Sequence, residues 1–211
     1  MSSELTSNDL DLMNVSVTCV TQFTSSFAKR YWQVSSIAAK RRLEKLERKG
    51  LLRSRSVLAA TPPPIHGPLC VFKPEQEIPH TAGRVSYQAR QRWKSIPVVV
   101  NRVYFATDLG RGLLGRPPIK PPRDIQATHD LGLSDVYLAY RQRWPKLTAR
   151  CWLNESEYAH HRGHCVKVED AMLCRNHQVL LMVDYAGAYR PDRVKDLMCH
   201  AQEHNVPIAI Y

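Results

Sequence analysis

No CxxC pair occurs in the 211-residue chain, although it holds six cysteines, Cys19, Cys70, Cys151, Cys165, Cys174 and Cys199. Their wide spacing excludes the close-set framework of a small disulfide-stapled domain and predicts buried, reduced thiols. No apolar run approaches the ~20 residues that span a bilayer. The polar N-terminus lacks the basic-then-apolar order of a signal peptide, so the expectation is a cytoplasmic protein without a membrane partner. Negative charge is scarce. Asp and Glu total 19 against 30 Lys and Arg, a net charge of +11, which favours an anionic partner and nucleic acid first. Hydrophobic residues make up 44% of the chain, enough for a packed core, and the length admits two small domains.

The most informative stretch runs from Ser35 to Leu52. Ser35 or Ser36 can cap a helix through its hydroxyl oxygen. Ala39, Leu43 and Leu46 recur at i, i+4, i+7 as an apolar stripe. Arg41, Lys45 and Arg48 repeat at the same spacing on another face, with Arg42 and Lys49 beside them. Gly50 suits the position just past the helix, where φ is positive. Leu51, Leu52, Val57 and Leu58, mixed with Arg53, Ser54, Arg55 and Ser56, read as a strand. An amphipathic helix, a glycine stop and a basic strand form the second half of a winged helix-turn-helix. A solvated helix face with Glu44 and Glu47 as partial partners is the plainer account. The basic residues continuing into the strand favour DNA. The helix would enter the major groove with Arg41, Arg42, Lys45, Arg48 and Lys49 divided between base edges and phosphates, and Arg53 and Arg55 would lie on the flanking backbone. In Lys29-Arg30-Tyr31-Trp32, Trp32 reads as a hydrophobic anchor, while Lys29 and Arg30 reach phosphate.

The expected fold class is α+β or α/β, with an N-terminal winged helix over 1–75, a linker with a connecting strand and loop over 76–127, and a small mixed-sheet domain over 128–211. Helices are predicted over 8–15 and 17–27, with Leu10, Met13, Val17, Val20 and Phe27 inward. The proline-rich run 61–68 reads as the wing tip, because proline lacks the ladder donor, and 69–72 as the returning wing strand. A basic helix over 85–94, a strand over 96–105 and a loop over 107–122 follow. Beyond it come a helix within 128–141 carrying Leu133, Val136, Tyr137 and Tyr140 on one face, strands at 149–153, 166–174 and 178–185, a helix over 191–205 and a strand over 206–211. The run 178–185 is continuously apolar, as in a strand buried on both faces. A helix between the last two strands implies a right-handed parallel crossover.

Four short words carry a family resemblance: His129-Asp130-Leu131, Trp152-Leu153-Asn154-Glu155, Val168-Glu169-Asp170-Ala171, and Asp184-Tyr185-Ala186-Gly187-Ala188-Tyr189. Together they resemble the replication-relaxation family of plasmids and other mobile elements, whose usual layout includes an N-terminal winged helix. The same segment is similar in order to the PD-(D/E)xK restriction-nuclease core. That resemblance puts Glu155, Asp170 and Asp184 in the acidic places, with Asp170 and Asp184 as the ligands of Mg²⁺, which would polarise the phosphate and activate water. The lysine such a site uses would fall at Ala186. The resemblance therefore implies a nuclease-like fold kept for DNA binding or assembly, without a cofactor.

Two alternatives stand beside it: a metal-dependent DNA endonuclease using Mg²⁺, and an adaptor that docks a protein partner in a replication, transposition or defence complex. Double-stranded DNA is the expected ligand and a homodimer a possible assembly. His160-His161-Arg162-Gly163-His164-Cys165 could bind zinc with Cys174 or His177, or form a solvated loop. No serine or cysteine nucleophile motif accompanies His129-Asp130, and His129 reads as a residue that packs or hydrogen-bonds at the helix start.

Overall fold

Thr6 and Asp9 close a capping box, each side chain accepting the other's backbone N–H, and this starts helix α1 (Ser7–Thr18). In the computed structural model, residues 4–60, 65–78, 81–155, 157 and 169–211 are described. They form a mixed α+β chain that divides into two units, Met1–Thr61 with Val98–Ser134 and Pro62–Pro97 with Asp135–Tyr211.

In the first unit, Met13, Val17, Val20 and Phe27 are buried, whereas Leu10 is exposed. The second predicted helix is corrected. Phe23–Thr24 forms a short strand, β1, and the Thr24 hydroxyl accepts the Phe27 N–H, so helix α2 (Ser25–Trp32) begins only after it. Helix α3 (Ser36–Arg48) is capped by the Ser35 hydroxyl and buries Ala39, Leu43 and Leu46. Gly50 follows at φ +70° and turns the chain into strand β2 (Leu52–Ala60). The strand that returns along β2 is not 69–72. Strand β3 (Cys70–Phe72) pairs with another sheet, and β2 pairs antiparallel with β4 (Val98–Ala106) in an unbroken register from Leu52↔Ala106 to Ala60↔Val98. Length decides this. A nine-residue strand finds full pairing only in another of nine residues. The sheet order is β1-β4-β2. Helix α4 (Thr81–Ser95), inserted between the paired strands in sequence, belongs to the second unit. The units therefore differ from the expected division at 75 and 127. The wing-tip residues 61–64 lie outside the described residues.

The 107–122 stretch is not all loop. Thr107 caps a short helix, α5 (Asp108–Leu113), and its hydroxyl also donates to the Gly50 carbonyl. Val57, Ala59 and Val103 pack against Ala127 and Leu131 of helix α6 (Ala127–Arg143), and the division between the units falls inside that helix.

The second unit holds a five-stranded sheet of order β3-β8-β7-β6-β5. Pro145 opens helix α7 (Pro145–Cys151) where a strand is predicted, and strand β5 is only Trp152–Asn154. Strands β6 (Ala171–Arg175) and β7 (Gln178–Asp184) make a hairpin whose turn residues Asn176 and His177 both take positive φ. Residues 166–168 of the predicted strand lie outside the described residues. Helix α8 (Pro191–Glu203) then leads to β8 (Ile208–Ile210), which is parallel to β7 as the crossover requires. β7 is buried only in its last half; Gln178 and Leu180 are exposed. On one face of the sheet, Phe72, Met182, Ile208 and Ile210 pack with Val85 and Ala89 of α4 and with Val194, Leu197 and Met198 of α8. Among the described residues Cys19, Cys70, Cys151, Cys174 and Cys199 form no disulfide. No described helix is long and apolar enough to cross a membrane.

Candidate nucleic-acid interface and carboxylate cluster

The stripe that buries Ala39, Leu43 and Leu46 leaves Ile37, Arg41 and Arg48 on the outward face of α3, with Ile37 67% exposed. Arg41, Arg53, Lys29 and Arg30 are all exposed, and Lys49 is half-buried at the helix end. Arg48 is also exposed and folds back to donate to the Glu44 carbonyl at 3.3 Å.

Three of the predicted DNA-contact residues have partners within the unit. Lys45 Nζ lies 3.7 Å from the buried Asp9 carboxylate and donates to the Glu4 carbonyl at 2.9 Å. The Arg42 guanidinium lies 5.3 Å from the Trp32 ring centroid. Arg55 pairs with Asp124 at 3.0 Å, donates to the Pro122 carbonyl and lies over Phe105. Trp32 is half-buried, with its indole N–H on the Asn8 carbonyl, an anchor as predicted.

One residue that sequence reasoning missed is Arg102. It reaches Glu47 at 2.9 Å and Ser54 Oγ at 2.9 Å, while the Ser54 N–H and hydroxyl both donate to Glu47. This cluster fastens the end of α3 to the β2–β4 pair. The pairing Ser56↔Arg102 that puts Arg102 there could not be read before the strand partner was known.

The three predicted acids lie near one another at the end of the β5–β6–β7 strands, each with its own hydrogen-bond partner. The Glu155 N–H donates to the Asp170 carbonyl at 3.1 Å, and Asp170 Oδ2 accepts the Tyr185 N–H at 2.7 Å. Asp184 is only 1% exposed and hydrogen-bonds Tyr189, whose phenol is pushed far up by burial and by the Asp184 and Asp170 charges. Glu155 is exposed. The described residues contain no group of three or more His, Cys, Asp or Glu side chains that could hold a metal ion. Ala186 is fully buried, and its carbonyl accepts from Arg92 Nη2 at 2.5 Å and Trp93 Nε1 at 2.8 Å. A lysine side chain there would meet the α4–α8 core rather than the acids. Arg92 lies 4.3 Å from the Tyr185 ring, and burial lowers its pKa.

The chain matches no family model, no curated protein and no solved structure. Any functional reading therefore stands on its own residues. His129 Nδ1 lies 3.6 Å from Asp130 Oδ1, and Asp130 Oδ2 accepts the Gln22 amide at 2.7 Å. The cluster 160–165 lies outside the described residues. A further pair escaped the sequence reading. Glu169 is 2% exposed and sits 3.4 Å from His200. Burial raises the Glu169 pKa and lowers that of His200.

Proposed function

We propose that the first unit is a winged-helix module that binds double-stranded DNA, and that the second unit keeps a restriction-nuclease-like arrangement without catalysis. The observation that carries the reading is the outward face of α3. Its exposed arginines stand on the third helix of the order α1-β1-α2-α3-β2-β4, with sheet order β1-β4-β2, and exposed Arg53 extends the cationic surface into the strand. Helix, strand, two helices and an antiparallel strand pair form the layout in which a recognition helix meets the groove and a β-ribbon meets the backbone. In the second unit, the order α6-α7-β5-β6-β7-α8-β8 supports the nuclease-like reading, while buried Asp184 and buried Ala186 argue against cleavage. The resemblance to replication-relaxation proteins suggests an accessory or regulatory role on plasmid or mobile-element DNA.

The test is anisotropy of labelled duplex DNA over a salt series. Each phosphate contact steepens the dependence of log K on log [salt] by about 0.9. Arg41→Ala/Arg48→Ala/Arg53→Ala should flatten the slope by about 2.7. Unchanged binding in this variant, or no binding by the wild type at low salt, refutes the reading. The same samples with Mg²⁺ on a denaturing gel should show intact DNA.

A further inference from the structure

The five-stranded sheet has a second face, away from α8, and it is not fully covered. A cleft of about 760 Å³ opens there, floored by Val71, Leu173 and Leu181. This lies within the volume range of small-ligand sites, which are apolar with a few polar groups. The wall from α6 and α7 is aromatic. Tyr140 stands 5.4 Å from Trp144 and 6.0 Å from Tyr211 between ring centroids. The Tyr140 and Tyr211 hydroxyls hydrogen-bond each other, which fixes two of the three rings. Trp144 is 43% exposed, and the exposed Arg143 guanidinium lies 4.6 Å from its ring centroid. His66, exposed, also lines the cleft, and among the described residues no Asp or Glu does.

Rings fixed on one wall, a cation at the mouth and no carboxylate suit a ligand with a flat aromatic body and a negative charge. An aliphatic peptide segment would leave Arg143 unused. A nucleotide uses all three features, because every base has a stackable face and every phosphate a charge.

We propose that this cleft binds an unpaired nucleotide, with the base stacked at Trp144 and Tyr140 and the phosphate on Arg143. The source is either a single-stranded stretch of DNA or a free nucleotide. The proposal does not rest on duplex binding by the first unit, since its residues all lie in the second.

The experiment is anisotropy of a short, labelled, non-self-complementary single strand on the full chain, with unlabelled dAMP as competitor. Trp144→Leu should weaken binding about tenfold or more, the worth of one lost stacking partner. Arg143→Gln should flatten the salt slope by about 0.7, and Lys146→Gln, an exposed charge outside the cleft, should leave the stacking-dependent affinity intact. Competition by dAMP at concentrations matching the strand identifies a free-nucleotide site; competition only far above them identifies a strand site. No binding of either, or equal binding by wild type and Trp144→Leu, overturns the proposal. Loss of duplex binding in the α3 variant leaves it standing, so the two readings fail separately.

Discussion

Gly110 lies inside α5, and a Cβ built there falls 2.3 Å from the Leu51 carbonyl oxygen and 2.7 Å from Met13 Cε. The methionine end can swing aside; the Leu51 carbonyl cannot, because it accepts from the Thr107 N–H at 3.1 Å and takes the Thr107 hydroxyl at 3.2 Å. Gly110→Ala must therefore push α5 off the turn between α3 and β2. Overpacking of this kind costs about 1–3 kcal/mol. Weakening the Thr107 hydrogen bonds adds about 1 kcal/mol, and the better helix propensity of alanine returns nearly as much. The net loss is about 2 kcal/mol. With a urea dependence of about 1–3 kcal/mol per molar, the unfolding midpoint of this unit should fall by about 1 M. Gly112 in the same helix is the control, since its Cβ would meet nothing within 4 Å. Gly112→Ala should be neutral or slightly stabilising. Urea unfolding followed by circular dichroism and by tryptophan emission measures both. Equal midpoints for the two variants would refute the close approach, and with it the way α5 braces the turn after α3.

The internal partners of Lys45 and Arg55 predict that Lys45→Ala/Arg55→Ala loses thermal stability while changing the DNA salt slope much less than the exposed-arginine variant; an equal change of slope would refute that division of labour. Ile37, apolar and outward near the start of α3, should contact a thymine methyl, each such discrimination being worth about 1–3 kcal/mol. Replacing thymine by uracil in the bound site should then weaken wild type but not Ile37→Ala, as read by competition anisotropy. Glu169 has its folded pKa raised by burial, so the folded state pays a growing penalty as pH rises from the unfolded value near 4.5 through the folded one. Glu169→Gln should raise the melting temperature at pH 8 and leave it nearly unchanged at pH 4.5. The same gain at both values would show that charge burial is not the cause.

The sequence legibly marks α3 because everything that makes it is local. Ser35 reaches Ala38, the apolar stripe repeats within the helix, and Gly50 supplies the positive φ next to it. The β7–α8–β8 crossover was legible for a similar reason, a long apolar run followed by an amphipathic stripe. The partner of β2 was not. Both 69–72 and 96–105 carry strand-forming residues, and only the matched length of β2 and β4, together with a separate core waiting for Phe72, separates them. Whether Phe23–Thr24 continues a helix likewise turned on pairing with Val103 and Tyr104 far along the chain.

At the candidate sites the sequence by itself determined the inventory: a cationic helix, acids in a set order, and an alanine at position 186. Only the tertiary structure decided which of these groups face outward. Arg41 and Lys45 share one helix and one charge, yet Lys45 is drawn to Asp9 while Arg41 stays in solvent. Asp184 is buried against Tyr189, and α4 closes over Ala186. Composition and spacing fix what a residue can do within a helical turn. Its partners across the fold are set by packing and by the burial of charge, and those depend on residues distant in sequence.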